Sequence, residues 1–260
     1  MSKDVVRGVV IRGVPVKNSD LMLTVYTHER GIMSIYARGA KKSDGKKNAS
    51  ATSDLAYSEF VITERQDKIW ASEVNTIKYF ECDMRNFEGF SLNFYIAELY
   101  EHIATAEADE TLMRLMLNTL YASSSGRYNH YLLKAAFEIR LLSHIGFMPD
   151  LSGCAECGAR GIDLYFDVAT GRLKCSECLA LEADEYDEEP HPTVIITEGA
   201  RAALDYATSC PLERLFSFTL SGEDLVSFSR AAESYLIHQL DRDFVGLEYF
   251  RNVDKLNQPI

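Results

Sequence analysis

Four cysteines constrain this chain more than any other feature. Cys154 and Cys157 are followed, after seventeen residues, by Cys175 and Cys178, in the pattern C-x2-C-x17-C-x2-C. Each C-x-x-C turn presents two sulfurs to one point, and the spacing fits a four-thiolate tetrahedral zinc site. Gly158 and Leu179 follow the two pairs and allow tight knuckle turns, and Leu164, Tyr165 and Phe166 between them read as a strand of the same ribbon. Four thiolates leave no coordination position for water, so the expected cofactor is one structural Zn2+ rather than a catalytic ion. Redox dithiols would need a βαβ setting, which the flanking pattern lacks. Cys82 and Cys210 have no such spacing and read as small packing residues.

A chain of 260 residues leaves room for one or two domains with a small insert. Hydrophobic residues are 47% and charged residues 25%, a globular balance that excludes wholesale disorder. No apolar run reaches the ~18 residues of a membrane span. Arg7 and Arg12 interrupt the apolar N-terminal stretch, which argues against a secretory signal. A cytoplasmic protein without a membrane partner is expected, and in a reducing compartment paired cysteines read as metal ligands before disulfides. The net charge of −12 argues at first against nucleic acid. Its distribution argues the other way. Residues 1–80 hold 13 Lys and Arg against 9 Asp and Glu, whereas residues 81–260 hold 14 against 30. Such asymmetry marks a nucleic-acid-facing part joined to a part with another task.

Residues 1–80 are rich in strand signals. β-Branched and alternating runs at 5–16, 21–27, 31–38, 55–63 and 69–77 predict about five strands, with a tight Gly-containing turn at His28, Glu29, Arg30 and Gly31. A five-stranded oligonucleotide-binding (OB-type) barrel is the natural reading, with an SH3-like barrel as the alternative. Between the third and fourth strands lies a predicted loop carrying Arg38, Lys41, Lys42, Lys46 and Lys47 against one acid, Asp44. A solvated basic loop beside a barrel groove suits sequence-independent phosphate binding. Alternation sets Leu23, Val25, Met33 and Ile35 on one face and Tyr26, Tyr36 and Arg38 on the other. The second face is the more polar, so Tyr26 and Tyr36 are candidate base-stacking residues, packing against helices being the other reading. Trp70 reads as core.

From about Phe87 the period becomes helical. Leu92, Tyr95, Ile96, Leu99, Tyr100 and Ile103 follow an i, i+3, i+4, i+7 stripe. Further helices are predicted over 109–122, 131–145, 197–207 and 225–240, the one over 131–145 stopped by Gly146 and Pro149, and the last preceded by a capping-box form at Ser221 to Asp224. The fold class is therefore α+β and multidomain: an OB-type barrel over 1–80, then a helical bundle over 81–260 interrupted by a four-cysteine zinc ribbon over 150–182. Six acids fall within 182–189 and read as a solvated linker, or as a strip competing with nucleic acid for the basic loop. No catalytic motif is present: no H-x-E, H-E-x-x-H, phosphate-loop, G-x-G-x-x-G or G-x-S-x-G pattern occurs. A binding protein rather than an enzyme is expected. An RNA- or ribosome-associated zinc-ribbon module is the alternative to a DNA-binding one.

Three segments resemble the bacterial RecO family of recombination mediators. They are DLMLTVYTHERG at 20–31 running into ARGAKK at 37–42; FEIRLL at 137–142 leading through GFMPD at 146–150 to CAECG at 154–158; and FDVATG at 166–171 leading to Cys175 and Cys178. The resemblance implies the architecture just read. It also implies a function that residue chemistry alone does not supply: DNA repair and recombination, in which the protein binds single- and double-stranded DNA, anneals strands and helps load RecA onto DNA coated by single-strand-binding protein. The implied partners are RecR, single-strand-binding protein and, in some bacteria, RecF. A cytoplasmic, nucleoid-associated location goes with them.

Overall fold

The computed structural model describes residues 3–17, 19–40, 46–80, 86–160, 164–185 and 192–257. The chain divides into two compact units, one of residues 1–126 with 244–260 and one of residues 127–243.

The first unit is built on five strands: β1 (Asp4–Lys17), β2 (Asp20–Thr27), β3 (Gly31–Ala37), β4 (Ala56–Arg65) and β5 (Lys68–Tyr79), with a short helix α1 (Lys46–Ala51) between β3 and β4. β1 is long enough to serve two partners. Its first half pairs with β4 and its second half with β2, and a register shift between Val10 and Arg12 bends it. The order β1-β2-β3-β5-β4 closes into a barrel, with β3 and β5 parallel and every other pair antiparallel. This connectivity is that of the OB-type barrel and decides against the SH3-like alternative. Alternation sends Val6, Val10, Leu23, Val25, Ile35, Phe60 and Ile62 inward, where Ala51 of α1 joins them in the core.

Turn chemistry fixes the strand order locally. In the β2–β3 hairpin the Arg30 N–H donates to Thr27 Oγ1 at 3.1 Å, and that hydroxyl donates to the Gly31 carbonyl at 2.8 Å. Gly31 has φ +59°, and a Cβ there would sit 2.2 Å from the Thr105 carbonyl oxygen. Only glycine meets both conditions. The β4–β5 hairpin turns through Gln66 and Asp67, both left-handed, the backbone that matches strand twist in a two-residue turn.

Helices α2 (Phe87–Ile103), α3 (Glu110–Ser124) and α8 (Val245–Asn257) complete this unit. Asn86 and Asp109 cap α2 and α3 through side-chain oxygens. Glu98 of α2 accepts from the first N–H groups of α8, Val245 at 3.0 Å and Gly246 at 2.7 Å.

The second unit holds α4 (His130–His144), β6 (Asp150–Cys154), β7 (Leu164–Asp167), β8 (Arg172–Cys175), α5 (Ser176–Glu185), β9 (Thr193–Ile196), α6 (Glu198–Ser209) and α7 (Gly222–Leu240). Helices α4, α6 and α7 pack on one another, and the strands form a sheet in the order β6-β8-β7-β9. The β7–β8 turn is organised by buried Asp167, whose Oδ1 accepts from the N–H groups of Ala169 and Thr170 and whose Oδ2 lies 3.6 Å from Lys174 Nζ. A Cβ at Gly171 in that turn would strike the Tyr235 hydroxyl at 2.5 Å.

The predicted helices and strands recur with ends moved by a few residues. Three differences have physical causes. Residues 46–51 form α1 where a loop is expected, because Ala51 docks in the barrel core. Ser221 precedes α7 without a side-chain cap bond, so the capping-box form there is chance. Residues 182–185 close α5 rather than opening a linker, and 186–189 lie outside the described residues. Among the described residues no helix is long and apolar enough to cross a membrane.

Candidate functional site

In the second unit, Cys154 ends β6, Cys157 lies in the turn after it, Cys175 ends β8 and Cys178 sits in the first turn of α5. Their four Sγ atoms lie within 4.8 Å of one another. Pairing of β6 with β8 sets the two C-x-x-C turns side by side, Cys154 opposite Leu173. Gly158, at φ +72°, lets the chain leave the first turn, where its N–H donates to the Cys154 carbonyl at 2.9 Å. All four thiols are free. Backbone N–H groups point at the sulfurs: Cys175 N–H donates to Cys154 Sγ at 3.3 Å and Cys178 N–H to Cys175 Sγ at 3.4 Å. Burial pushes the Cys154 thiol up, but N–H donors from Cys157, Cys175 and Glu156 more than offset it and leave it at about 6. Backbone donors aimed at a sulfur favour its thiolate form, the form that ligates a metal. The cluster could hold a metal ion, and the ribbon around it is the one read from the sequence.

On the barrel, the candidate nucleic-acid residues separate. Tyr26 is 1% exposed. Its ring packs 5.0 Å from that of Tyr100 on α2, and its hydroxyl donates to the Asp109 carbonyl at 3.4 Å. Burial, and secondarily Asp109, push its phenol up. Of the two readings of Tyr26, packing against a helix is the one the structure shows and an exposed stacking ring is corrected, because α2 covers the outer barrel face around Tyr26.

Tyr36 and Arg38 do face outward. Tyr36 is half-buried, and its hydroxyl donates to Asp20 Oδ2 at 2.5 Å, while Asp20 Oδ1 accepts from the Gly39 N–H at 2.8 Å. That bond to Asp20 is the main reason its phenol is raised. Arg38 is exposed and its guanidinium carbon stands 5.8 Å from the centroid of the Trp70 ring. The Tyr36 and Trp70 rings lie 4.3 Å apart, tilted by 57°. Trp70 is therefore only half-buried and belongs to the outer face, which corrects its reading as core. The signal was available: Ile69 and Ala71 pack toward the core, so alternation turns Trp70 out with Ser72. Lys41 and Lys42 lie outside the described residues. Lys46 and Lys47 belong to α1, with their side chains outside the description.

Comparison with known proteins agrees with this architecture. A family model described as recombination protein O, N terminal, matches residues 1–80, and one described as recombination protein O, C terminal, matches residues 84–248. A DNA repair protein RecO from Acetivibrio thermocellus is 28% identical over 252 residues, covering 96% of each chain. The one from Desulforamulus reducens is 28% identical over 96% of this chain and 94% of its own. That from Pelotomaculum thermopropionicum is 24% identical over 96% and 93%. With a closed five-stranded barrel, a helical second part carrying a four-cysteine ribbon, and matches that run nearly end to end, this chain belongs to the RecO family of DNA repair and recombination proteins.

Proposed function

We propose that this chain is a recombination mediator that binds single- and double-stranded DNA on its barrel, anneals complementary strands and helps load RecA onto DNA coated by single-strand-binding protein. RecR is its partner, with RecF as a further one, and it works in the cytoplasm at the nucleoid. The observation that carries the reading is the barrel's outer face, where Tyr36 and Arg38 stand just ahead, in the sequence, of the lysines at 41, 42, 46 and 47, in a chain aligned over almost its whole length with proteins named DNA repair protein RecO. Phosphate neutralisation by Arg38, Lys41, Lys42, Lys46 and Lys47 is sequence-independent and releases counterions. Two strands held side by side with their charge neutralised anneal without any bond-making step, so the protein acts as a mediator and not as an enzyme. The acidic remainder of the chain repels DNA and confines it to the barrel.

One structural zinc ion completes this reading. Its fit rests on geometry: at a Zn–S distance of ~2.3 Å the edge of a tetrahedron is about 3.8 Å, and Cys157 Sγ lies 3.7 Å from Cys175 Sγ. A disulfide would need ~2.05 Å. Cys154, Cys157, Cys175 and Cys178 would hold the ion, which ties the β6 turn to the start of α5.

The test is strand annealing on DNA coated by the cognate single-strand-binding protein, with and without RecR. Annealing that is accelerated by this protein and modulated by RecR is expected. Failure to bind DNA, or tighter binding to RNA of the same sequence, would point to the RNA-associated alternative.

A further inference from the structure

The outer barrel strip containing Trp70 has no part in core packing. Strand register places Met22, Tyr36, Trp70 and Thr63 in one row across β2, β3, β5 and β4. Neighbouring strands stand ~4.8 Å apart, so the row crosses the barrel exterior over the span of a few nucleotides. Exposed cations flank it. Arg38 stands at one side, and Arg65 and Lys68 face each other across the β4–β5 hairpin. Among the described residues none of these three forms an ion pair.

Within the row, Trp70 offers the largest π-face, and its neighbours differ in kind. Tyr36 is fixed: its hydroxyl is tied to Asp20, which is itself tied to the Gly39 N–H, so the Tyr36 ring is a rigid buttress. Arg38 is exposed and, among the described residues, rests on the indole face alone. A cation resting on an aromatic ring at such an exposed site is held only weakly, so it is a cover that leaves readily. A nucleobase has the flat π-surface that replaces a guanidinium on indole, and its own phosphate is the natural destination of the displaced Arg38.

We propose that Trp70 is a base-stacking residue for an unpaired nucleobase of single-stranded nucleic acid, with Arg38 exchanging from the indole face to the adjoining phosphate. The assignment rests on the nucleic-acid-binding reading above and adds a strand-state preference to it. Phosphate contacts do not distinguish paired from unpaired strands, whereas a base within a duplex is already stacked and cannot lie on Trp70. Stacking makes no use of base edges, so the site takes bases of any sequence.

The experiment exploits the fact that Trp70 is the chain's one tryptophan, so its emission reports on this site alone. The full-length protein is titrated with short oligothymidylate and with a blunt duplex of equal length, following anisotropy of a labelled strand and tryptophan emission together. Oligothymidylate is expected to quench emission in step with binding, and the duplex to bind with little quenching. Trp70→Ala should weaken oligothymidylate binding about tenfold with an unchanged salt slope, whereas Trp70→Phe retains most of the affinity. Saturated anisotropy with unaltered emission in the wild-type protein would overturn the assignment while leaving DNA binding in place. So would equal affinity of Trp70→Ala and wild type. If Trp70→Ala melts early, the wild-type emission and the Trp70→Phe affinity decide. Absence of any binding by anisotropy would overturn the DNA-binding reading and the stacking assignment with it.

Discussion

The ring of Tyr26 on β2 rests 5.0 Å from the ring of Tyr100 on α2, tilted by 56°, and the Tyr100 hydroxyl donates onward to the Leu112 carbonyl at 2.5 Å. This pair joins barrel strand to helix within the first unit. Tyr26→Ala should therefore cost about 3–5 kcal/mol of stability, as expected for removing a fully buried aromatic ring. Thermal or urea unfolding would measure it. DNA affinity per folded molecule should be unchanged, in contrast to Trp70→Ala.

The same two residues set an alkaline limit. Burial pushes both phenols up, with Asp109 adding to Tyr26, and Tyr26 and Asp109 adding to Tyr100. A group whose folded-state value is raised contributes stability that is complete below its unfolded value. The unfolded chain ionises near pH ~10 and the folded one only higher. Stability should hold below that pH and fall as pH rises above it, through the range up to the raised folded values. Urea unfolding at a series of alkaline pH values should show a steeper decline for wild type than for the Tyr26→Phe, Tyr100→Phe double variant.

Much of this structure was legible in the sequence because its signals are local. Alternation marks β2 and β3, Gly31 marks their hairpin, and C-x-x-C spacing marks the ribbon, each within a few residues. What was not legible depends on which face another element covers. Tyr26 and Tyr36 occupy equivalent outward positions on adjacent strands, yet α2 lies over one and solvent over the other. No alternation rule separates them. β9 is four residues long and becomes a strand only by pairing with β7, and α8 is tied to α2 by Glu98, a contact 147 residues away in sequence. Trp70 differs: its outward direction is readable from alternation, since Ile69 and Ala71 on either side of it pack toward the core.

Lys134 and Glu138 form a buried ion pair on α4, with both distances 3.0 Å, joined by Glu233 at 2.8 Å from α7. Lys134 is 1% exposed and Glu138 is fully buried. Breaking such a pair leaves an uncompensated charge, so Lys134→Met alone should cost about 3–5 kcal/mol. The Lys134→Met, Glu138→Leu double variant should cost less than the sum of the two single variants. A urea-unfolding double-mutant cycle reads the coupling; additive losses would refute it.

Protein purified without chelator should carry one zinc per chain by elemental analysis. Isolated zinc modules draw ~10–16 kcal/mol of folding energy from the metal, but here α4, α6 and α7 supply a core of their own. Cys175→Ser should therefore lose metal and loosen the ribbon, seen as faster hydrogen exchange around β8 and α5, with DNA binding by the barrel retained. A metal-free wild-type protein with a protected ribbon would contradict the expectation.

The basic segment makes the quantitative prediction. Lys41, Lys42, Lys46 and Lys47 changed together to Ala should weaken binding to all DNA sequences about equally, because phosphates carry no sequence information. Alanine is also a strong helix former, so α1 should persist and the melting temperature and zinc content should stay unchanged. If all four lysines meet phosphates, the slope of log affinity against log salt for single strands should become shallower by about 3. Annealing should fall in parallel, since it depends on neutralising two backbones at once. Tryptophan quenching at saturating oligothymidylate should survive, because stacking on Trp70 does not pass through these lysines. An intact salt slope in the quadruple variant would move the phosphate contacts to Arg38, Arg65 and Lys68, and Ala substitutions there would then carry the lost slope.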